Sequence, residues 1–181
     1  MSPSENEFSH SVKLDEIGAG TSLYALVADQ AARMGLTTRF DLLSLDSLEA
    51  DIALIRNGNI IRATGQMRAS LSQACIASGE AVASAFNEPI TINFTPEPRA
   101  DTVVEIELKA EDCDSVFHDG KAIDLGEAVA QSLALALNPY PRSAGAEMKL
   151  KAAGVKREDE VVAVLSPFSA LAALKNTLVR N

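Results

Sequence analysis

The chain has 181 residues, 47% of them hydrophobic, 23% charged and 4% aromatic, with a formal charge of −9. That apolar fraction excludes an intrinsically disordered chain and supplies one domain-sized core. The excess of acid opposes unassisted, salt-driven binding to a phosphate backbone, and with it a DNA-binding role.

The charge is uneven. Residues 1–138 hold 9 Lys+Arg against 21 Asp+Glu, whereas residues 139–181 hold 7 against 4, so the C-terminal arm is the basic part. Cys75 and Cys113 lie in different segments, and no positively charged apolar leader is visible, which makes a reduced cytoplasm the expected location. Apolar runs such as Leu133 to Leu137 are far short of the roughly 20 residues that cross a bilayer.

In chain order, EFSHSVKL alternates Phe8, His10, Val12 and Leu14 with polar neighbours and predicts a half-buried strand that pairs with a later part of a sheet. In SLYALVADQAARMG, Leu23, Leu26, Val27, Ala31 and Met34 recur at helical spacing. Thr21 or Ser22 is available as a cap and Gly35 as a stop, so one amphipathic helix is predicted. LEADIALIR and IIRATGQMRASL then alternate about Arg56-Asn57-Gly58-Asn59, and Asn-Gly predicts a tight hairpin. The inward positions are Leu48, Ala50, Ile52, Leu54, Ile61, Ala63, Met67 and Leu71, which puts Arg62, Thr64, Gln66, Arg68 and Ser70 on the other, polar face.

Ala81 to Phe94 and VVEIELKA predict further strands, and DLGEAVAQSLALALN a second helix. Asp124 can accept from its first-turn amides, Glu127 completes a capping-box pattern, and Pro139 ends it. PYPRSAGAEMKLKAAGVKREDE reads as a linker, and a short amphipathic helix follows Pro167. The expected architecture is α+β: an antiparallel, curved or partly closed sheet of four to six strands packed with two main helices. The domain spans 1–142, and a basic, partly flexible arm with a short terminal helix spans 143–181.

Chemistry-bearing patterns are sparse. A structural zinc site needs four nitrogen or sulfur ligands, usually in close pairs. Cys75 stands alone, with Ala77 and Ser78 where a second thiol would follow, and His10 and His118 have no partners at ligand spacing. A nucleophilic Cys113 with His118 in the CDSVFH loop lacks an oxyanion-hole pattern, and Glu111, Asp112 and Asp114 do not have EF-hand spacing. Gly18 and Gly20 lack the strand and spacing of a nucleotide fingerprint. The expectation is a protein without metal or cofactor that acts by binding, not an enzyme. Arg62 and Arg68, with Arg56 at the turn, form one candidate contact face. Lys149, Lys151, Lys156 and Arg157 in the arm form another. A small-molecule, lipid-like half barrel and a hydrolase using Cys113 and His118 are the alternatives.

LEADIALIR, GQMRASLSQAC, ITINFTPE, IDLGEAVAQSLALALNPYPR and PFSALAALK together resemble the YceD family of large ribosomal RNA subunit accumulation proteins, firmly over about residues 45–142. The helix with its Pro-Tyr-Pro exit is the most specific of these segments. The resemblance implies a noncatalytic, cytoplasmic factor that supports accumulation or processing of 23S ribosomal RNA. Its partners would be the ribosomal RNA precursor, a ribosome-assembly protein or both, and the exit residues Tyr140 and Arg142 join the candidate contacts. Many members carry C-x-x-C at the strand end and further cysteines after the helix; here only Cys75 matches, and Ala77, Ser78 and Ser143 stand where those thiols would be. That departure argues against metal in this chain.

Overall fold

A computed structural model describes residues 7–18, 20–97 and 115–156. Its elements are β1 (Ser11–Lys13), β2 (Ser22–Val27), α1 (Gln30–Arg39), β3 (Ser44–Asn57), β4 (Ile60–Ala74), β5 (Ala81–Pro96), β6 (Ser115–His118), β7 (Ala122–Asp124), α2 (Leu125–Ala136) and α3 (Ala146–Ala152). The architecture is α+β. A five-stranded sheet runs β2-β3-β4-β5-β6, antiparallel except for the parallel β5–β6 pair, and a separate two-stranded ladder joins β1 to β7. The predicted strand VVEIELKA, Cys113 and the helix after Pro167 lie outside the described residues.

The inner face of the sheet is assembled by register. Across β3, β4 and β5, Leu54–Ala63–Ile92, Ile52–Gly65–Ile90 and Leu48–Ala69–Phe86 lie side by side, so a small residue on the central strand sits between two large ones. This alternation lets side chains interdigitate at interior density. A register shift between Leu45 and Ser47 adds one residue to β3, which is why Leu45 and Leu48, three apart, both face inward. Gly65 has no substitute. A Cβ there would lie 1.9 Å from the Asp51 carbonyl oxygen and 3.0 Å from the Ile52 Cα.

α2 lays Leu125, Ala128, Val129, Ala130 and Leu133 against this face, and Ala136 and Leu137 pack at its margin. Asp124 caps it, accepting from the Glu127 amide (3.1 Å), and also takes the His10 amide (2.8 Å) and the Ser9 hydroxyl (2.7 Å) from the N-terminal stretch. One carboxylate thus fixes both the helix start and the approach to β1. That approach is close enough that a Cβ on Gly126 would meet the Phe8 carbonyl oxygen at 2.6 Å.

Four expectations from the sequence are corrected. SLYALV is strand β2, not the start of a helix; α1 begins only at Gln30, capped by Asp29, whose carboxylate accepts from the Ala32 amide at 2.8 Å. Leu23, Leu26 and Val27 fit both periods, but Leu26 is buried while Leu23 and Val27 are exposed, as strand alternation requires. Gly35 lies inside α1 and stops nothing.

The hairpin loop is Gly58-Asn59, since Asn57 pairs with Ile60, and only Gly58 has positive φ (62°), the pattern of a II′ turn. β1 pairs with β7, not with the main sheet. Within the CDSVFH loop, Ser115–His118 form β6 on the sheet edge.

Candidate interaction surface

Strand alternation and register together define the outer face of the sheet. From β2 to β5 its rows read Leu23–Ala53–Thr64–Thr91, Ala25–Asp51–Gln66–Pro89 and Val27–Glu49–Arg68–Asn87, and beyond β2 a further row reads Ile55–Arg62–Asn93. Arg62 and Arg68 are therefore on one exposed face, as alternation predicts, separated by about 20 Å at 3.3–3.4 Å per residue. Between them the rows carry one charged residue, Asp51, next to Arg68, and are otherwise neutral or apolar.

Neither arginine extends freely into solvent. Arg68 reaches from β4 to β3, with Nη2 2.7 Å from Asp51 Oδ2 and 3.8 Å from Glu49 Oε2. The hydrogen bond to Asp51, and then its charge, hold the guanidinium above its usual range. With two carboxylates to one guanidinium, this end of the face carries net negative charge. Arg62 donates Nε–H to Asn93 Oδ1 at 3.2 Å, and Asn93 is the buried polar residue where β6 closes on β5. Arg56 donates to the Leu14 carbonyl (3.0 Å) and to Gly58 (3.3 Å), so it ties the hairpin end to the loop after β1. Phosphate recognition by a clamp of free arginines does not match this arrangement.

The other candidates gather at the β4–β5 connection. Ile76 donates its amide to the Pro141 carbonyl (3.0 Å) and Gln73 Nε2 donates to the Asn138 carbonyl (3.0 Å), so the Pro-Tyr-Pro exit from α2 lies along this turn with Tyr140 and Arg142 exposed. Cys75, only 3% exposed, receives the Ser143 amide on Sγ at 3.3 Å. Ser78 and Ser143 touch through their hydroxyls at 3.3 Å, and Glu80 accepts from Ser143 (2.9 Å), Ser78 (3.1 Å) and Lys149 Nζ (2.5 Å). Cys75, Ser78 and Ser143, named separately in the sequence, thus meet at one corner.

The groups beside Cys75 there are hydroxyls, those of Ser78 and Ser143. Serine is not among the residues that build structural zinc sites. Among the described residues, no three His, Cys, Asp or Glu side chains are grouped so as to hold an ion. Instead hydrogen bonds close the corner. The Ser78 hydroxyl, then the Ser143 amide, bring the Cys75 thiol down to about 6 against the opposing effect of burial, and Lys149, then Ser143 and Ser78, hold Glu80 below the usual carboxylate range.

Ser143 to Ala152 belong to the stretch read as a linker, yet they carry these bonds and the buried Ala146 at the start of α3. Lys151 and Lys156 are exposed, whereas Lys149 is engaged by Glu80; Arg157 lies outside the described residues.

His118 lies on β6, its Nδ1 accepting from the Gly120 amide at 3.1 Å, and Cys113 lies outside the described residues. The sheet and α2 share one hydrophobic core, and a hollow of about 600 Å³ lined by Ile90, Ile92 and Leu135 together with the polar Glu88, Gln131 and Ser132 opens at their margin. No helix among the described residues is long and apolar enough to cross a membrane.

Residues the sequence reading missed are Leu23 and Val27, assigned to a helix, and Glu49 and Asp51, whose pairing with Arg68 depends on register. The usable signals were the short continuous apolar run Leu23 to Ala28, which is compatible with a strand, and the cap residue Asp29, which marks a later helix start. Comparison with curated proteins and with solved structures gives no match. The family model for the large ribosomal RNA subunit accumulation protein YceD matches residues 63–175, from near the start of β4 through α2 and α3. Since that match covers more than half of the 181 residues, the chain belongs to the YceD family.

Proposed function

We propose that this chain is a noncatalytic, cytoplasmic factor that supports accumulation of large-subunit (23S) ribosomal RNA by docking an assembly or processing protein on the outer face of its sheet. The family supplies the ribosomal RNA role. The observation that carries the docking mode is the pairing of Arg68 with both Asp51 and Glu49: the face holds a neutral saddle and an acidic end where a phosphate-binding surface would hold unpaired cations. Among the described residues, the outward positions of β2 to β5 carry none of the aromatic side chains on which single-stranded bases stack; the one exposed ring on this side, Phe117, stands apart on the edge strand β6. Positive charge is instead exposed at Arg142, Lys151 and Lys156, which serve as the RNA-facing side of the same adaptor.

Two measurements test this reading. Deleting the chain lowers 23S relative to 16S ribosomal RNA, and an unchanged ratio removes the role. Binding of the purified chain to ribosomal particles survives the double substitution Arg62→Ala, Arg68→Ala. A steep fall in log affinity with log salt, about 0.7–0.9 per phosphate contacted, together with loss in the double variant, overturns protein docking in favour of phosphate binding.

A further inference from the structure

β2 is the edge of the five-stranded sheet, hydrogen-bonded to β3 on one side only among the described residues. Edge strands are normally blunted by lysine, proline, a bulge or an inward-pointing charge, because a bare edge templates another strand. Ser22–Val27 has none of these: SLYALV is uncharged, contains no proline, and pairs with β3 in unbroken register over all six residues. Its outward side chains are Leu23, Ala25 and Val27, with Leu23 80% and Val27 67% exposed. Glu7 to His10 share a hollow with Ala25 to Val27 beside this strand; apolar exposure at alternate positions along an edge without a blocking charge, proline or bulge is the arrangement that strand addition uses. Main-chain bonds give affinity there, and alternate side chains give selectivity.

The charge beside the edge selects the occupant. Asp51 stands directly across from Ala25 and Glu49 across from Val27, with Arg68 the one cation paired to both. Residues 1–138 as a whole carry 21 Asp+Glu against 9 Lys+Arg. A second copy would bring the same acidic rim against this one, whereas a basic segment would meet it with complementary potential. Resting on the protein-docking reading above, we propose that the open edge of β2 takes up an extended, basic segment of a protein partner, apolar at alternate positions, as an additional strand of the sheet.

The test uses the full-length chain and three ten-residue probes: a peptide alternating valine and lysine, one alternating valine and glutamate, and one alternating glycine and lysine. The valine–lysine peptide is expected to bind and to slow amide exchange at residues 22–27, while the other two bind at least tenfold more weakly. Leu23→Lys with Val27→Lys changes two exposed side chains and is expected to leave the melting curve in place while weakening that peptide at least tenfold. Equal binding by the glycine–lysine peptide reduces the effect to charge alone and overturns the proposal. Protection confined to other strands, or undiminished binding by the double variant, overturns it as well. So does a dimer of the peptide-free chain whose β2 protection is lost on dilution, because a second copy then occupies the edge. Peptide protection at β2 in a chain whose deletion leaves 23S unchanged keeps the edge and removes the ribosomal role. A 23S defect without that protection does the reverse.

Discussion

Glu127 occupies the third position of α2, where a capping-box glutamate would reach back to the helix's own N-terminus. Here it crosses to α1 instead, its two carboxylate oxygens 2.7 and 2.8 Å from Nη2 and Nη1 of Arg39, whose guanidinium also reaches Glu7 at 3.3 Å. The Arg39 hydrogen bond, opposed by burial, holds the Glu127 carboxyl below its usual range. A depressed carboxylate stabilises the fold above its ordinary pKa and loses that contribution as pH falls through the folded-state value. Glu127→Gln is therefore expected to lower stability by about 1–2 kcal/mol at neutral pH, the worth of a hydrogen bond to a charged group at a partly exposed site. The gap to the parent should begin to narrow as pH enters the ordinary glutamate range and close only below the lowered folded-state value. Denaturant titrations at several pH values check this, and a gap that stays constant into acid removes the ion pair as its source.

Between elements, the decisive contact is Gly65 against β3. A Gly→Ala change at a site that tolerates it stabilises by about 0.4–1 kcal/mol through the unfolded state. At Gly65 the added carbon meets backbone rather than a flexible side chain. Gly65→Ala should instead destabilise by about 2–3 kcal/mol, lowering the urea midpoint with an unchanged slope. A midpoint equal to or above the parent's would mean that β3 and β4 have room to separate.

Register belongs to the same scale. A loop centred on Asn57-Gly58, as the Asn-Gly signal suggests, would have set Glu49 opposite Gln66. The actual Gly58-Asn59 loop sets it opposite Arg68. A turn misplaced by one residue moves each cross-strand partner by two. Face assignment survives such an error, because the period is two, but the ion pairs do not.

For the molecule as a whole, the proposed division at residue 142 has a physical test. The stretch from Ser143 onward seals Cys75 through the Ser143 amide and anchors on Glu80 through Ser143 and Lys149, while the sheet and α2 form their core without it. Removing residues 143–181 is expected to leave the circular dichroism of the sheet body in place. In a Cys113→Ser background, it should turn Cys75 from a protected thiol into one that alkylates at least tenfold faster. Global unfolding on truncation would show that the arm is part of the domain. An unchanged alkylation rate would show that the seal lies elsewhere.

The sequence alone determined the alternation of β3, β4 and β5, the cap and apolar stripe of α2, the shared face of Arg62 and Arg68, and the family. Each of these is written in local periodicity or in a contiguous motif. Tertiary structure decided what locality cannot express. SLYALV carries helical and strand periods at once, and pairing with β3 selected the strand. Arg68 looks like a free cation along its own strand, and only the neighbouring strand supplies Asp51 and Glu49. Cys75 and Ser143 are 68 positions apart and meet because the exit from α2 returns along the β4–β5 turn. Backbone pairing and chain return join residues distant in sequence, so the contacts that define the surface follow from the assembled sheet.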